Sequence, residues 1–109
     1  MLFQRLQVGA GPALIYDMIR IQTVNNRIDI TIAIDGQLIG EYVEEVEASI
    51  QNAIEQHKDV HLFLRDVSHI DEKGQSLLAR LAAEGVELSA AGVYSSYVVS
   101  QIQRALSSH

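Results

Sequence analysis

The sequence predicts an α/β domain: a small mixed, mostly parallel sheet of about four strands, in the order β-β-α-β-α-β-α, with helices mainly on one face. Three observations predict it. Apolar residues recur at every second position in some stretches and at every third or fourth in others. The two kinds of stretch alternate along the chain. Apolar residues make up 48% of the 109 positions, which is enough to fill one core and too many for a disordered chain.

"MIRIQTV" alternates, with Ile19, Ile21 and Thr23 against Arg20 and Gln22. "RIDITIAIDG" alternates more strongly, with Ile28, Ile30, Ile32 and Ile34 on one side. Both read as half-buried strands. Asn25 and Asn26 between them tolerate the backbone of a tight hairpin. "GEYVEEVEASIQNAIEQHK" then changes period. Val43, Val46, Ile50, Ala53 and Ile54 form the stripe of an amphipathic helix. Its acids crowd the amino end, and His57 and Lys58 stand at the other, as a helix dipole favours.

"VHLFLRDV" reads as a strand with Val60, Leu62 and Leu64 on one face. "GQSLLARLAAEG" reads as a helix with Leu77, Leu78, Leu81 and Ala82 inward, stopped by Gly85. "VELSAAG" is a further strand, and "VYSSYVVSQIQRALSSH" a last helix with Tyr94, Val98, Ile102 and Leu106 near one stripe. The strands alternate with polar residues, where a sheet covered on both faces would be continuously apolar. One face is therefore expected to stay open, or to be covered by the leader or a second copy. The leader is residues 1–17; residues 18–109 are read as the single domain. Leu2, Phe3, Leu6, Leu14, Ile15 and Tyr16 in the leader are apolar enough to pack.

Composition narrows the function. There are no cysteines, which excludes disulfides and thiolate metal sites and fits a reducing cytosol. A cytoplasmic protein is expected. A formal charge of −6 and a pI near 5.0 disfavour a nucleic-acid role. No apolar run reaches the ~20 residues of a membrane span. His57 and His61 are four apart but straddle a helix-to-strand change, and His69 and His109 lack patterned partners, so no metal site is expected. "GAGPAL" has Leu14 where a dinucleotide-binding loop needs its third glycine. No serine sits in a nucleophile elbow. No enzyme and no cofactor are expected.

The remaining feature is "HIDEKGQSLLARL", residues 69–81, where a strand turns into a helix. Asp71 can cap the helix and Gly74 permits a tight turn. Such a loop lies at the carboxyl end of a strand, where open α/β sheets place their sites.

From about Ile19 to Leu106 the chain resembles a STAS domain, the family of anti-sigma-factor antagonists and sulphate-transporter tails. The likeness rests on "TIAIDGQL" with its following helix, on "HLFLRDVSHIDEKGQSLLARL", and on "GVELSAAGV" with its last helix. The family's loop runs hydrophobic, Asp, two hydroxyl residues, Gly. Ile70, Asp71 and Gly74 match, whereas Glu72 and Lys73 replace the hydroxyl pair. Ile39 stands where family members often carry an acid.

The resemblance implies a STAS-like fold and a protein partner, such as a kinase-like anti-sigma factor or another regulator. It also implies a switch by phosphorylation at the hydroxyl pair, which Glu72 and Lys73 do not allow. Ser68 and Ser76 are the hydroxyls that flank the loop. The expected partner-binding residues are Ser68, Asp71, Glu72, Lys73, Gly74, Gln75 and Arg80, with Glu72 and Lys73 presenting opposite charges. Two other roles compete: a self-assembling subunit, pairing as a homodimer through the leader, and an anion- or nucleotide-binding domain at the helix start near Gly74.

Overall fold

A computed structural model describes residues 10–56 and 59–107, and of residues 10–12 the backbone alone. The chain runs β1 (Ala10–Ile15), β2 (Ile19–Asn25), β3 (Asp29–Leu38), α1 (Glu41–Glu55), β4 (Asp59–Ile70), α2 (Glu72–Ala83), β5 (Glu87–Ala90) and α3 (Val93–Ser107). The five strands form one sheet in sequence order. Leu2, Phe3, Leu6, His57, Lys58 and His109 lie outside the described residues.

The α/β class holds, but two details are corrected. The sheet has five strands instead of four, and it is not mostly parallel. β1–β2 and β2–β3 are antiparallel, whereas β3–β4 and β4–β5 are parallel. The extra strand comes from the stretch read as a leader. Its sequence, "AGPALI", holds a proline and a glycine and shows no alternation. Proline cannot donate to a ladder, so it is tolerated at a sheet edge, and β1 is an edge strand with an irregular register between Ala10 and Ala13.

Alternation sets the core. Ile19 and Ile21 of β2, Ile30, Ile32 and Ile34 of β3, Val60, Leu62 and Leu64 of β4 and Leu88 of β5 are buried. They join Val43, Val46 and Ile50 of α1, Leu77, Leu78 and Leu81 of α2 and Val98 and Val99 of α3 in one cluster. The core therefore lies between one sheet face and the helices.

The other face carries the intervening residues, most of them polar, with Ala33 and Phe63 as a neighbouring apolar pair. There Arg65 donates two hydrogen bonds to the carboxylate of Asp35. Arg65 also reaches Gln22 Oε1 at 3.4 Å, and Arg20 lies 3.9 Å from Asp35. The hydrogen bonds from Arg65 hold the Asp35 carboxyl below its ordinary range. His61 Nε2 and Ser89 Oγ, 2.7 Å apart, sit further along the same rows.

One glycine is fixed by a close approach. Gly36 of β3 has φ +113°, and a β-carbon there would lie 2.2 Å from the Met18 carbonyl oxygen. The neighbouring Gln37 amide donates to that same oxygen at 2.7 Å. Backbone meets backbone where β2 starts, so only glycine fits.

Candidate functional site

Asp71 is the residue on which the strand-to-helix corner is built. Its backbone is extended, and it stands as the N-cap of α2. Oδ1 accepts from the Gly74 amide at 2.8 Å, satisfying one of the unpaired donors of the first helical turn. Oδ2 accepts from the Gly40 amide at 2.9 Å. Gly40 is the N-cap of α1 and has no side chain of its own to cap that helix. One carboxylate thus ties together the starts of two helices that are about thirty residues apart in sequence. The Gly40 and Gly74 amides, in that order, hold its carboxyl below the usual range.

Gly74 is buried on the inner side of the same corner. A β-carbon there would sit 2.5 Å from the Leu38 carbonyl oxygen and 2.9 Å from Ile70 Cγ2. The first turn of α2 therefore lies against the end of β3 at a distance that only glycine permits. Tyr94 of α3 completes the corner. β5 ends at Ala90 and does not reach the last residues of β4. The Ile70 amide instead donates to Tyr94 Oη at 2.9 Å, and the Tyr94 hydroxyl donates to the Ile70 carbonyl at 3.2 Å. Gln75 Nε2 donates to that carbonyl as well, at 3.3 Å.

Glu72 and Lys73 are both exposed, but they do different things. Lys73 Nζ is 3.0 Å from Glu44 Oε2 of α1. Two turns on, the same side of α2 carries Arg80, whose Nη1 is 2.6 Å from Glu47 Oε2. These pairs line the α1–α2 seam. Glu72 has no ion-pair partner among the described residues. It stands at the first helical position, where a negative charge suits the dipole.

The opposite flank of α2 faces α3 across a groove of about 530 Å³. Gln75, Ser76 and Ala79 form one wall, and Tyr94, Tyr97, Gln101 and Ala105 contribute to the other. Among the described residues, Glu72 is the only charged one that lines it. Val93, Tyr97 and Leu106 of α3 are exposed, Val93 to 90% and Tyr97 to 63%.

Of the residues expected from the sequence, the corner brings together Asp71, Glu72, Gly74 and Gln75. Asp71 and Gly74 shape it from within, while Glu72 and Gln75 are exposed. Lys73 and Arg80 belong to the α1 seam. Ser68 is exposed but lines a separate depression with Asp35, Gly36 and Asp66, away from the groove. The sequence pattern alone does not mark Gly40, Glu44, Glu47, Tyr94 and Tyr97 as site residues. Tyr94 was visible as part of an apolar stripe, but nothing in the stripe says that it hydrogen-bonds a strand end. Among the described residues, no group of three or more His, Asp or Glu side chains could hold a metal ion. No helix among them is long and apolar enough to cross a membrane.

No protein-family model matches this chain, and no curated protein matches its sequence.

Proposed function

We propose that this chain is a non-enzymatic protein-binding module of STAS-like character, with its partner surface at the corner of residues 68–76 and the outer face of α2. The observation that supports this reading is Glu72 with Gln75 and Ser76: three exposed side chains at the start of a helix whose first turn is fixed from behind. Asp71, Gly74 and Tyr94 hold that turn, so a partner meets a surface already ordered, which lowers the cost of binding.

The regulatory part of the resemblance is recast. With Glu72 and Lys73 in place of a hydroxyl pair, the surface is constitutive at those positions. Lys73 is engaged by Glu44, so the charge on offer is the acid, not an opposed pair. A charge at an interface rim tunes partner choice and encounter rate more than affinity. The partner is a protein regulator, such as a kinase-like anti-sigma factor. Affinity capture from native lysate tests this with two baits, the wild type and Glu72→Lys combined with Lys73→Glu. The swapped chain is expected to fold and to lose partners; an unchanged set of partners contradicts the surface assignment.

One observation favours a second reading, self-assembly. β1 is an edge strand, and Ile15, Leu14 and Met18 beside it are exposed. Exposed apolar edges invite pairing with another copy. Light scattering on the full chain and on a chain starting at Met18 decides it: a monomer in both cases ends this reading.

A further inference from the structure

The α2–α3 groove combines features that the corner alone does not explain. α3 has fifteen residues and a single formal charge, Arg104. Its exposed residues at the groove are Tyr94, Tyr97, Gln101, Ala105 and Leu106, while Gln103, Arg104 and Ser107 are exposed outside it. Depletion of charge and enrichment in tyrosine mark the centre of a protein interface more than overall apolarity does. The residues that line the groove on α3 run from Tyr94 to Leu106 at steps of three, one, three, one, three and one. That is a continuous helical stripe along one flank: Tyr94, Tyr97, Gln101, Ala105 and Leu106 are exposed, Ile102 is half-buried, and Val98 is shared with the core, which Ser95 and Val99 also serve.

Resting on the protein-binding reading above, we infer that this groove receives one amphipathic α-helix of the partner, bearing a basic residue at the end that meets Glu72. Three arguments select that occupant. First, both walls are α-helices whose backbone groups are bonded within themselves. An extended segment laid between them would find no backbone partners for its own amides and carbonyls, whereas a helix brings its own hydrogen bonds. Second, the polar residues lining the groove, Glu72, Gln75, Ser76, Tyr94, Tyr97 and Gln101, are all exposed. A small-molecule site relies on a few precisely placed polar groups that converge on the ligand, and here Tyr94 and Gln75 already direct theirs to the Ile70 backbone. Third, charge is complementary at one end only. Among the described residues, Glu72 is the single formal charge lining the groove and has no ion-pair partner, and the chain as a whole carries −6. A cation on the partner's helix end would answer it. The lining residues of α3 span about 18 Å at 1.5 Å per residue, so the fitting helix has roughly 12 to 14 residues.

The test uses the full chain and two phage-displayed peptide libraries of one composition. One presents helices of about 14 residues with an apolar stripe at i, i+3, i+4 and i+7, and Lys, Glu or Gln at each end. The other spaces the same residues with proline to keep them extended. Helical clones with a basic residue at one end are expected to enrich over extended ones. Ala79→Arg and Ala105→Arg, at exposed positions on opposite walls, are expected to weaken the selected clones by about tenfold or more. Glu72→Gln is expected to remove the preference for the basic end while leaving an apolar stripe bound. Equal enrichment of both libraries, or clones indifferent to both arginines, overturns the inference. So does a wild-type dimer in sedimentation that Ala79→Arg makes monomeric, because the occupant is then a second copy. If the arginines leave helix binding unchanged while the charge-swapped corner still loses its lysate partners, the groove inference fails and the module reading stands. If the swapped corner loses no partner, the module reading itself fails.

Discussion

α2 has two flanks, and they are built on opposite plans. Towards α1, its cations meet acids: Lys73 with Glu44 and Arg80 with Glu47. α1 supplies Glu41, Glu44, Glu45, Glu47 and Glu55 and no base. Towards α3, a single charge lines a groove whose walls are otherwise tyrosine, glutamine, serine and apolar residues. The difference teaches where to look for a partner on this protein. The conspicuous charges are largely spent within the molecule, and the quiet flank is the one left uncovered. Exposed ion pairs add little stability, because water and salt screen them and two long side chains must be held still. An uncovered groove keeps its apolar surface available for burial on binding.

The two flanks share one foundation, the first turn of α2, and the largest effect is expected there. Gly74→Ala puts a methyl group 2.5 Å from the Leu38 carbonyl, so α2 must move off the end of β3. A loss of about 3 kcal/mol in urea unfolding is expected, at the upper end of overpacking costs. Wild-type stability in that variant would mean that the helix start is not held against the strand.

Asp71→Ala comes next. It removes the cap of α2 and the acceptor for the Gly40 amide of α1 together. A loss of about 1 to 2 kcal/mol is expected from chemical denaturation. Asn is not a rescue, since its one carbonyl oxygen faces two donors and its amide hydrogens would point at one of them.

The same carboxylate gives a pH signature. Asp71 has its folded-state pKa lowered by the two amides, and Asp35 by Arg65. A lowered carboxyl pKa means that the unfolded chain binds more protons in acid, so stability rises with pH through that range. Both contributions are complete above about pH 4, the ordinary carboxyl range, and are lost as pH falls through the lowered folded values. Acid titrations of stability are expected to be shallower in Asp71→Ala than in the wild type; superimposable slopes would remove Asp71 from the account.

The smallest effect is expected on the charged flank. Lys73→Ala combined with Arg80→Ala breaks both ion pairs found between α1 and α2 among the described residues. The thermal midpoint is expected to change little, as for other exposed pairs. A marked drop would show that the seam depends on its ion pairs and would reverse the comparison between the flanks.

Much of this architecture was legible in the sequence because period 2 and period 3.6 leave different marks. Ile30, Ile32 and Ile34, or Leu77, Leu78 and Leu81, allow only one reading each. β1 was not legible, because proline and glycine in "AGPALI" erase the alternation while an edge strand tolerates them. The cap by Asp71 was readable from local spacing. Its second bond, to Gly40, was not, since nothing local links residues 31 apart. Lys73 was expected to offer its charge to a partner, and the link to Glu44 across 29 residues was hidden for the same reason. The stripe of Tyr94, Val98, Ile102 and Leu106 was visible, but a stripe does not say what it faces. Here all four line the groove, and Val98 is at the same time buried in the core, with Ile102 packed against it.

The most direct measurement is hydrogen–deuterium exchange on the full chain with and without its captured partner. Slowed exchange at residues 71–79 and 94–106, with β1 and β2 unchanged, is the result expected of a module that binds through the corner and groove of α2. Slowing confined to β1, β2 or the polar sheet face, with α2 and α3 untouched, would contradict it.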